Sequence, residues 1–274
     1  MTTLDPAAGS STSSSRVPAG RAPLDDAGLD DLVTGLLGFD GPGTDDASGL
    51  SHELAAAERR RAEAAARLHD VRRELTRFRL RYKFAIDEIS TKITILREEF
   101  EHTHDHSPIE HVRTRLKSPD SLLAKMRRIG CPFTLEAIEE QIQDIAGIRV
   151  VCPFVSDVYW IMEMLAGQSD VDVVEVEDYI ARPKANGYRS LHLILKVPVF
   201  LSDRTVHVPV ELQIRTIAMD FWASVEHAIY YKYAGTVPAT LRDELGTAAR
   251  TAAELDATMA RLRSEVHGPG RAAT

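Results

Sequence analysis

The 274 residues suffice for one large domain or for a domain with extensions, and the net charge of -8 argues against a globally basic nucleic-acid surface. The two cysteines, Cys131 and Cys152, lack metal-ligand spacing, and no segment resembles a secretory h-region or an apolar run long enough to span a bilayer. A soluble, reducing, cytoplasmic setting is the simplest expectation.

Residues 1–48 read as a disordered tail. The first fifty residues hold eight Asp, no Glu and two Arg, and the stretch is rich in Ser, Gly and Pro. Leu29 to Phe39 has the makings of a transient amphipathic helix or docking element, although a passive tail is the preferred reading. From Leu50 to Ser107 there is neither Gly nor Pro, and residues 49–80 form an Arg/Ala-rich helical extension. The basic run Arg59 to Arg61, with Arg67, Arg72, Arg73, Arg77, Arg79 and, just past the extension, Arg81, is interleaved with Glu58, Glu63 and Glu74. A solvated face is preferred there over an RNA or oligomer contact. From Tyr82 to Phe100 the spacing of Phe84, Ile86, Ile89, Ile93, Leu96 and Phe100 predicts an amphipathic helix with that stripe buried. His102, His104 and His106, with Asp105, look like a metal cluster, but surface or hydrogen-bonding histidines are the better reading.

Residues 113–128 set six cations against one acid, Asp120. Arg113, Arg115 and Lys117 alternate, so an extended segment aims them one way. Ser118-Pro119-Asp120 then starts a helix expected to end at Gly130, with Ser121, Lys125 and Arg128 on one face. A cation strip leading into a helix start suits a polyphosphate, and a basic surface face is the alternative. A short helix is expected over 134–142. Asp144 opens the buried strand Ile145 to Cys152, in which Arg149 needs an acid or a ligand as its partner.

A helix over 156–165 and a strand over 171–176 follow, then a polar loop that carries Lys184, Asn186-Gly187, Tyr188 and Arg189. The strand from Ser190 to Val197 should pair antiparallel with a strand over 205–215 through a turn at Ser202-Asp203. In the second of these, Val206, Val208, Val210, Leu212 and Ile214 face one way, and His207, Glu211, Gln213 and Arg215 the other. A helix from Thr216 to about Tyr233 is expected to turn Phe221, Trp222, Val225, Ile229 and Tyr230 inward, with His227 either a core or a site residue. Leu241 to Val266 reads as a final amphipathic helix, and residues 268–274 as a frayed end.

The order β-α-β-β-β-α behind a helical layer predicts an α+β domain, a mixed sheet with helices packed on it. Asp144 and Glu211 stand on different strands, and if those strands are neighbours the two carboxylates can hold Mg2+ between phosphates. With the flanking cations and the aromatic loop, this suggests nucleotide phosphoryl-type transfer. No Walker motif and no kinase Gly-rich loop is present.

His106-Ser-Pro-Ile-Glu110, Arg115-Leu-Lys117, Asp144-Ile-Ala-Gly-Ile-Arg149, Gly187-Tyr-Arg-Ser-Leu-His192, Val210-Glu-Leu-Gln-Ile-Arg-Thr216 and Phe221-Trp-Ala-Ser-Val-Glu-His227 occur in this order. The set resembles the synthetase domain of the RelA/SpoT family, and more closely its stand-alone small alarmone synthetases, over roughly residues 80–265. The resemblance implies a nucleotidyltransferase-like fold, a synthetase domain over 81–267, and transfer of the ATP β,γ-pyrophosphate to the 3′-hydroxyl of GDP or GTP. It implies that Arg115 and Arg149 sandwich adenine, that Lys117, Ser121 and Lys125 hold the ATP phosphates, and that Asp144 and Glu211 bind Mg2+, with Glu211 also taking the hydroxyl proton. Tyr188 would stack on guanine, and Lys184, His192, Gln213 and Arg215 would line the acceptor.

A homo-oligomer, a tetramer by resemblance, would form through the 82–100 and 241–266 helices. Asp220 departs from the Asn of some relatives, which puts a guanine contact there in question. The upstream residues are too few for the family's hydrolase domain and its C-terminal sensing domains are not seen, so synthesis alone is expected. The alternative is a non-catalytic nucleotide- or RNA-binding regulator on the same scaffold.

Overall fold

The computed structural model describes residues 50–104, 106–233 and 237–267, with side chains described from residue 57. The tail, its Leu29–Phe39 segment, Asp105 and the last seven residues lie outside the described residues. In chain order the elements are α1 (Leu50–Thr103), β1 (His111–Leu116), α2 (Pro119–Ile129), α3 (Leu135–Gln141), β2 (Ala146–Cys152), α4 (Val155–Ala166), β3 (Asp172–Asp178), β4 (Leu191–Phe200), β5 (Thr205–Thr216), α5 (Ile217–Lys232) and α6 (Ala239–His267).

The five strands lie in the order β1-β2-β5-β4-β3. β2 and β5 run parallel, and the other three pairs are antiparallel. β2 and β5 are therefore neighbours although their paired positions Arg149 and Gln213 stand 64 positions apart in the sequence, because the α4-β3-β4 excursion returns to the same sheet.

Strand alternation divides the sheet into two unlike faces. On one, Ile148 and Val150, Leu191, Leu193 and Leu195, and Val208, Val210, Leu212 and Ile214 are buried. α1 covers this face, contributing Leu75, Phe78, Tyr82, Ile86, Ile89 and Ile93 to the same core. The helix passes residue 80 without a break, and Leu75 and Phe78 are already in the core before it. The predicted stripe shifts in one place: Phe84 is 36% exposed and Tyr82 takes the buried position. Position 82 continues the run Leu75, Phe78, Tyr82, Ile86, Ile89, Ile93 at steps of three and four, and position 84 falls off it.

The expected helix boundaries at 119–129 hold. Ser118 Oγ accepts from Ser121 N, Pro119 opens the first turn, and Gly130 closes α2 at φ 68°. α5 departs from expectation. Trp222 is buried, but Phe221 is 71% exposed, Val225 is exposed, and His227 is exposed, so His227 is not a core residue. The helix rests on α6 and the sheet through a narrow face, which half-buries Ile229 and Tyr230 and leaves Phe221 and Val225 in solvent.

Candidate active site

The second sheet face carries the polar side chains, and strand register places them in rows. Arg115 on β1 is opposite Gly147 on β2, which is opposite Glu211 on β5, which is opposite Ile194 on β4. The next row is Arg113, Arg149, Gln213, His192 and Glu177. Arg115 and Arg149 are thus diagonal neighbours on one face. Gly147 has no side chain to cover Glu211: a Cβ there would lie 3.9 Å from Glu211 Oε2, and anything larger would crowd the carboxylate.

Asp144 stands just ahead of β2. Lys117 Nζ donates to its Oδ2 at 2.6 Å and Lys125 Nζ to its Oδ1 at 2.7 Å. Lys117 comes from the end of β1, where its backbone N–H donates to Ile145 O at 2.8 Å, and Lys125 comes from α2. Burial alone would raise the Asp144 pKa, but the two ammonium groups outweigh it and hold the carboxyl below the usual carboxylate range. Ser121 lies on the same helix, where its hydroxyl accepts from Ser118 Oγ at 2.8 Å.

The other half of the site centres on Arg215, only 4% exposed. Its Nε donates to Ser190 Oγ at 3.2 Å and its Nη2 to Gln213 Oε1 at 2.8 Å, with a further short hydrogen bond to the Tyr188 hydroxyl. Its Nη1 donates to Asp220 Oδ1 at 3.3 Å, and Arg149 Nη1 donates to the same oxygen at 3.1 Å. Asp220 is therefore the partner that Arg149 required. Arg149 Nε remains buried without a hydrogen-bond partner among the described residues. Lys184 Nζ lies 4.1 Å from the Tyr179 ring centroid and 5.4 Å from that of Tyr188.

His192 bonds the Tyr188 hydroxyl at 2.8 Å, and its Nδ1 is 3.7 Å from Glu211 Oε1. Burial, then the charges of Arg215 and Lys184, push its pKa down to about 4. The imidazole is neutral at pH 7 in the native state, whereas in the unfolded chain it takes up a proton below about 6.5. Native stability is therefore expected to fall as pH drops from 6.5 toward 4, by roughly 2 kcal/mol for this group between pH 7 and 5. His192→Gln should flatten that part of the curve, as urea unfolding midpoints at the two pH values would show.

The expected site residues thus fall into two groups on one face. Asp144, Lys117, Lys125 and Ser121 gather at the β1–α2 side, and Lys184, Tyr188, His192, Gln213 and Arg215 at the β4–β5 side, with Glu211 and Arg149 between them. Arg115 is exposed at the β1 edge. Tyr179 and Ser190 were missed by sequence reasoning. Tyr179 continues the alternation of Glu177 beyond β3, and its ring lies 5.3 Å from that of His192. Ser190 was expected to open a strand on the face of His192, and nothing beyond that marked it as a partner of Arg215.

The clustered histidines make hydrogen bonds: His102 Nδ1 bonds Glu98 O at 2.7 Å, and His106 Nε2 is 2.9 Å from Arg263 Nη2. No group of three or more His, Cys, Asp or Glu able to hold a metal occurs among the described residues.

Comparison with known proteins gives concordant matches. The family profile described as the region found in RelA/SpoT proteins matches residues 114–236. GTP pyrophosphokinase YwaC of Bacillus subtilis is 50% identical over 185 residues, 68% of this chain and 88% of that protein. GTP pyrophosphokinase YjbM of the same organism is 44% identical over 190 residues, 69% of this chain and 89% of that protein. The crystal structure of small alarmone synthetase 2 from Bacillus subtilis superimposes with a TM-score of 0.65 at 47% identity, covering 70% of this chain and 99% of that one. That of small alarmone synthetase 1, bound to its product pppGpp, gives 0.66 at 42% identity, covering 70% and 98%. With its motifs in register on one sheet face and half its residues shared with YwaC over the aligned region, the chain belongs to the RelA/SpoT family.

Proposed function

We propose that the chain is a GTP pyrophosphokinase that transfers the β,γ-pyrophosphate of ATP to the 3′-hydroxyl of GDP or GTP, giving ppGpp or pppGpp and AMP. The observation that carries this reading is the position of Glu211, between the Asp144–Lys117–Lys125 cluster and the Arg215–Tyr188–His192 cluster on one sheet face. Two nucleotides bound to the two clusters would meet over it.

Glu211 accepts the proton of the 3′-hydroxyl as its oxygen attacks the β-phosphorus of ATP. The bond from that phosphorus to the α,β-bridging oxygen breaks, and AMP leaves. Arg115 and Arg149 stack on adenine, Lys117, Ser121 and Lys125 hold the ATP phosphates, Tyr188 stacks on guanine, and Lys184, His192, Gln213 and Arg215 line the acceptor. Asp144 and Glu211 are hard oxygen donors of the kind Mg2+ takes. With no group of three or more such ligands among the described residues, Asp144 and Glu211 would hold an ion that takes its remaining ligands from outside the protein. Such an ion would supply charge neutralisation on the phosphates.

The test is incubation of the full chain with Mg2+, ATP and GDP or GTP, followed by anion-exchange separation. A guanosine species with two added phosphates and an equal amount of AMP supports the reading. Intact ATP in both mixtures rejects it in favour of a binding module.

The partners proposed are the two nucleotides and further copies of this chain, as a tetramer. Leu255, Met259, Leu262 and Val266 are exposed on α6 at helical spacing, which supports assembly through that helix. Met259→Glu with Leu262→Glu is expected to lower the mass seen by light scattering to that of a smaller assembly. On α1 the Arg73–Asp70 ion pair at 3.5 Å supports a solvated face over an RNA contact. No helix among the described residues is long and apolar enough to cross a membrane.

A further inference from the structure

α6 turns a second face toward the site. Leu245, Ala249 and Asp256 lie on it, at helical spacing and buried. Asp256 is 6% exposed, and a carboxylate so placed costs stability unless a specific hydrogen bond holds it. Its Oδ2 accepts from Thr216 Oγ1 at 3.0 Å. Thr216 follows Arg215 at the end of β5 and is the N-cap of α5, where its hydroxyl oxygen accepts from Met219 N at 3.2 Å. By spending its proton on Asp256, the hydroxyl is left oriented to cap the helix. The next residue, Asp220, holds Arg149 and Arg215.

Two further contacts bring the same helix face to the acceptor loop. Gly187, at φ 90°, packs so closely that an added Cβ would meet Ala249 Cβ at 2.5 Å. Trp222 Nε1 donates to Leu245 O at 2.9 Å, and Tyr188 packs against the small cluster these residues form.

We propose that Asp256 is a positioning residue for the acceptor nucleotide: through Thr216 it fixes the start of α5, and with it the Asp220–Arg215 pair beside Tyr188. This rests on the assignment of the Tyr188–Arg215 side to the guanosine substrate. The test is steady-state kinetics on the full chain, varying GDP at saturating ATP and ATP at saturating GDP. Asp256→Ala is expected to raise the KM for GDP about tenfold, the effect of losing roughly one well-placed hydrogen bond, with the KM for ATP within about twofold.

Asp256→Asn, which keeps an acceptor for the Thr216 hydroxyl, should restore most of the GDP affinity. Thr216→Val should reproduce the Asp256→Ala effect, and the double variant should be no worse than either single one. Wild-type turnover with equal shifts in both KM values, with none in either, or with no recovery in Asp256→Asn overturns this proposal alone. A wild-type chain without turnover overturns the functional reading and this proposal with it.

Discussion

Glu211→Gln is expected to lower pyrophosphate transfer by about 10²–10⁴-fold while ATP and GDP binding stay within a few-fold, because the amide keeps the shape but cannot take the hydroxyl proton. The surroundings make this a clean substitution. Glu211 is half-buried, faces the bare backbone of Gly147, and has as its nearest charged-type neighbour a His192 ring that is neutral at pH 7. No buried cation is left unpaired by the change. Single-turnover assays beside equilibrium binding of each nucleotide would check it. Loss of binding in parallel with turnover would show that Glu211 acts through its hold on metal and substrate, and would remove its role in proton transfer.

Asp220→Ala should be the most damaging single change to stability among the site residues, by about 3 kcal/mol or more. One carboxylate oxygen accepts from both Arg149 and Arg215, and Arg215 is almost wholly buried. Removing the acid leaves two guanidinium groups facing each other; their mutual repulsion already adds to burial in lowering the Arg149 pKa. Asp220→Asn retains an acceptor oxygen and should cost less than half as much. Urea unfolding of both variants at pH 7 gives the comparison. Equal losses would show that the charge, and not the hydrogen bond, carries the stabilisation.

Much of this arrangement was legible from residue order. Alternation in the 205–216 segment separated the core face from the polar face, and the caps at Ser118 and Gly130 bounded α2. The need of Arg149 for a partner was readable too, but its identity was not. Asp220 lies far along the chain and meets Arg149 only because β2 and β5 are parallel neighbours and α5 starts where β5 ends. Phe221 and Val225 were misplaced for a related reason. Apolar spacing marks a stripe, but the tertiary contact decides how wide a stripe is covered, and α5 offers only a narrow one.

The β4–β5 hairpin extends past its neighbours: β3 pairs with β4 only as far as Lys196, and β2 meets β5 only from Glu211 onward. Pro198, opposite His207, and Pro209, opposite Lys196, stand at these two limits. Antiparallel ladders alternate between pairs that exchange hydrogen bonds and pairs whose N–H groups point outward. The two proline pairs are two residues apart, hence of one kind, and proline is compatible with the outward kind. Each therefore removes an outward donor where its strand has lost its neighbour. A foreign strand approaching either open edge finds an interrupted row of donors, so the projecting ribbon is a poor template for strand addition and aggregation.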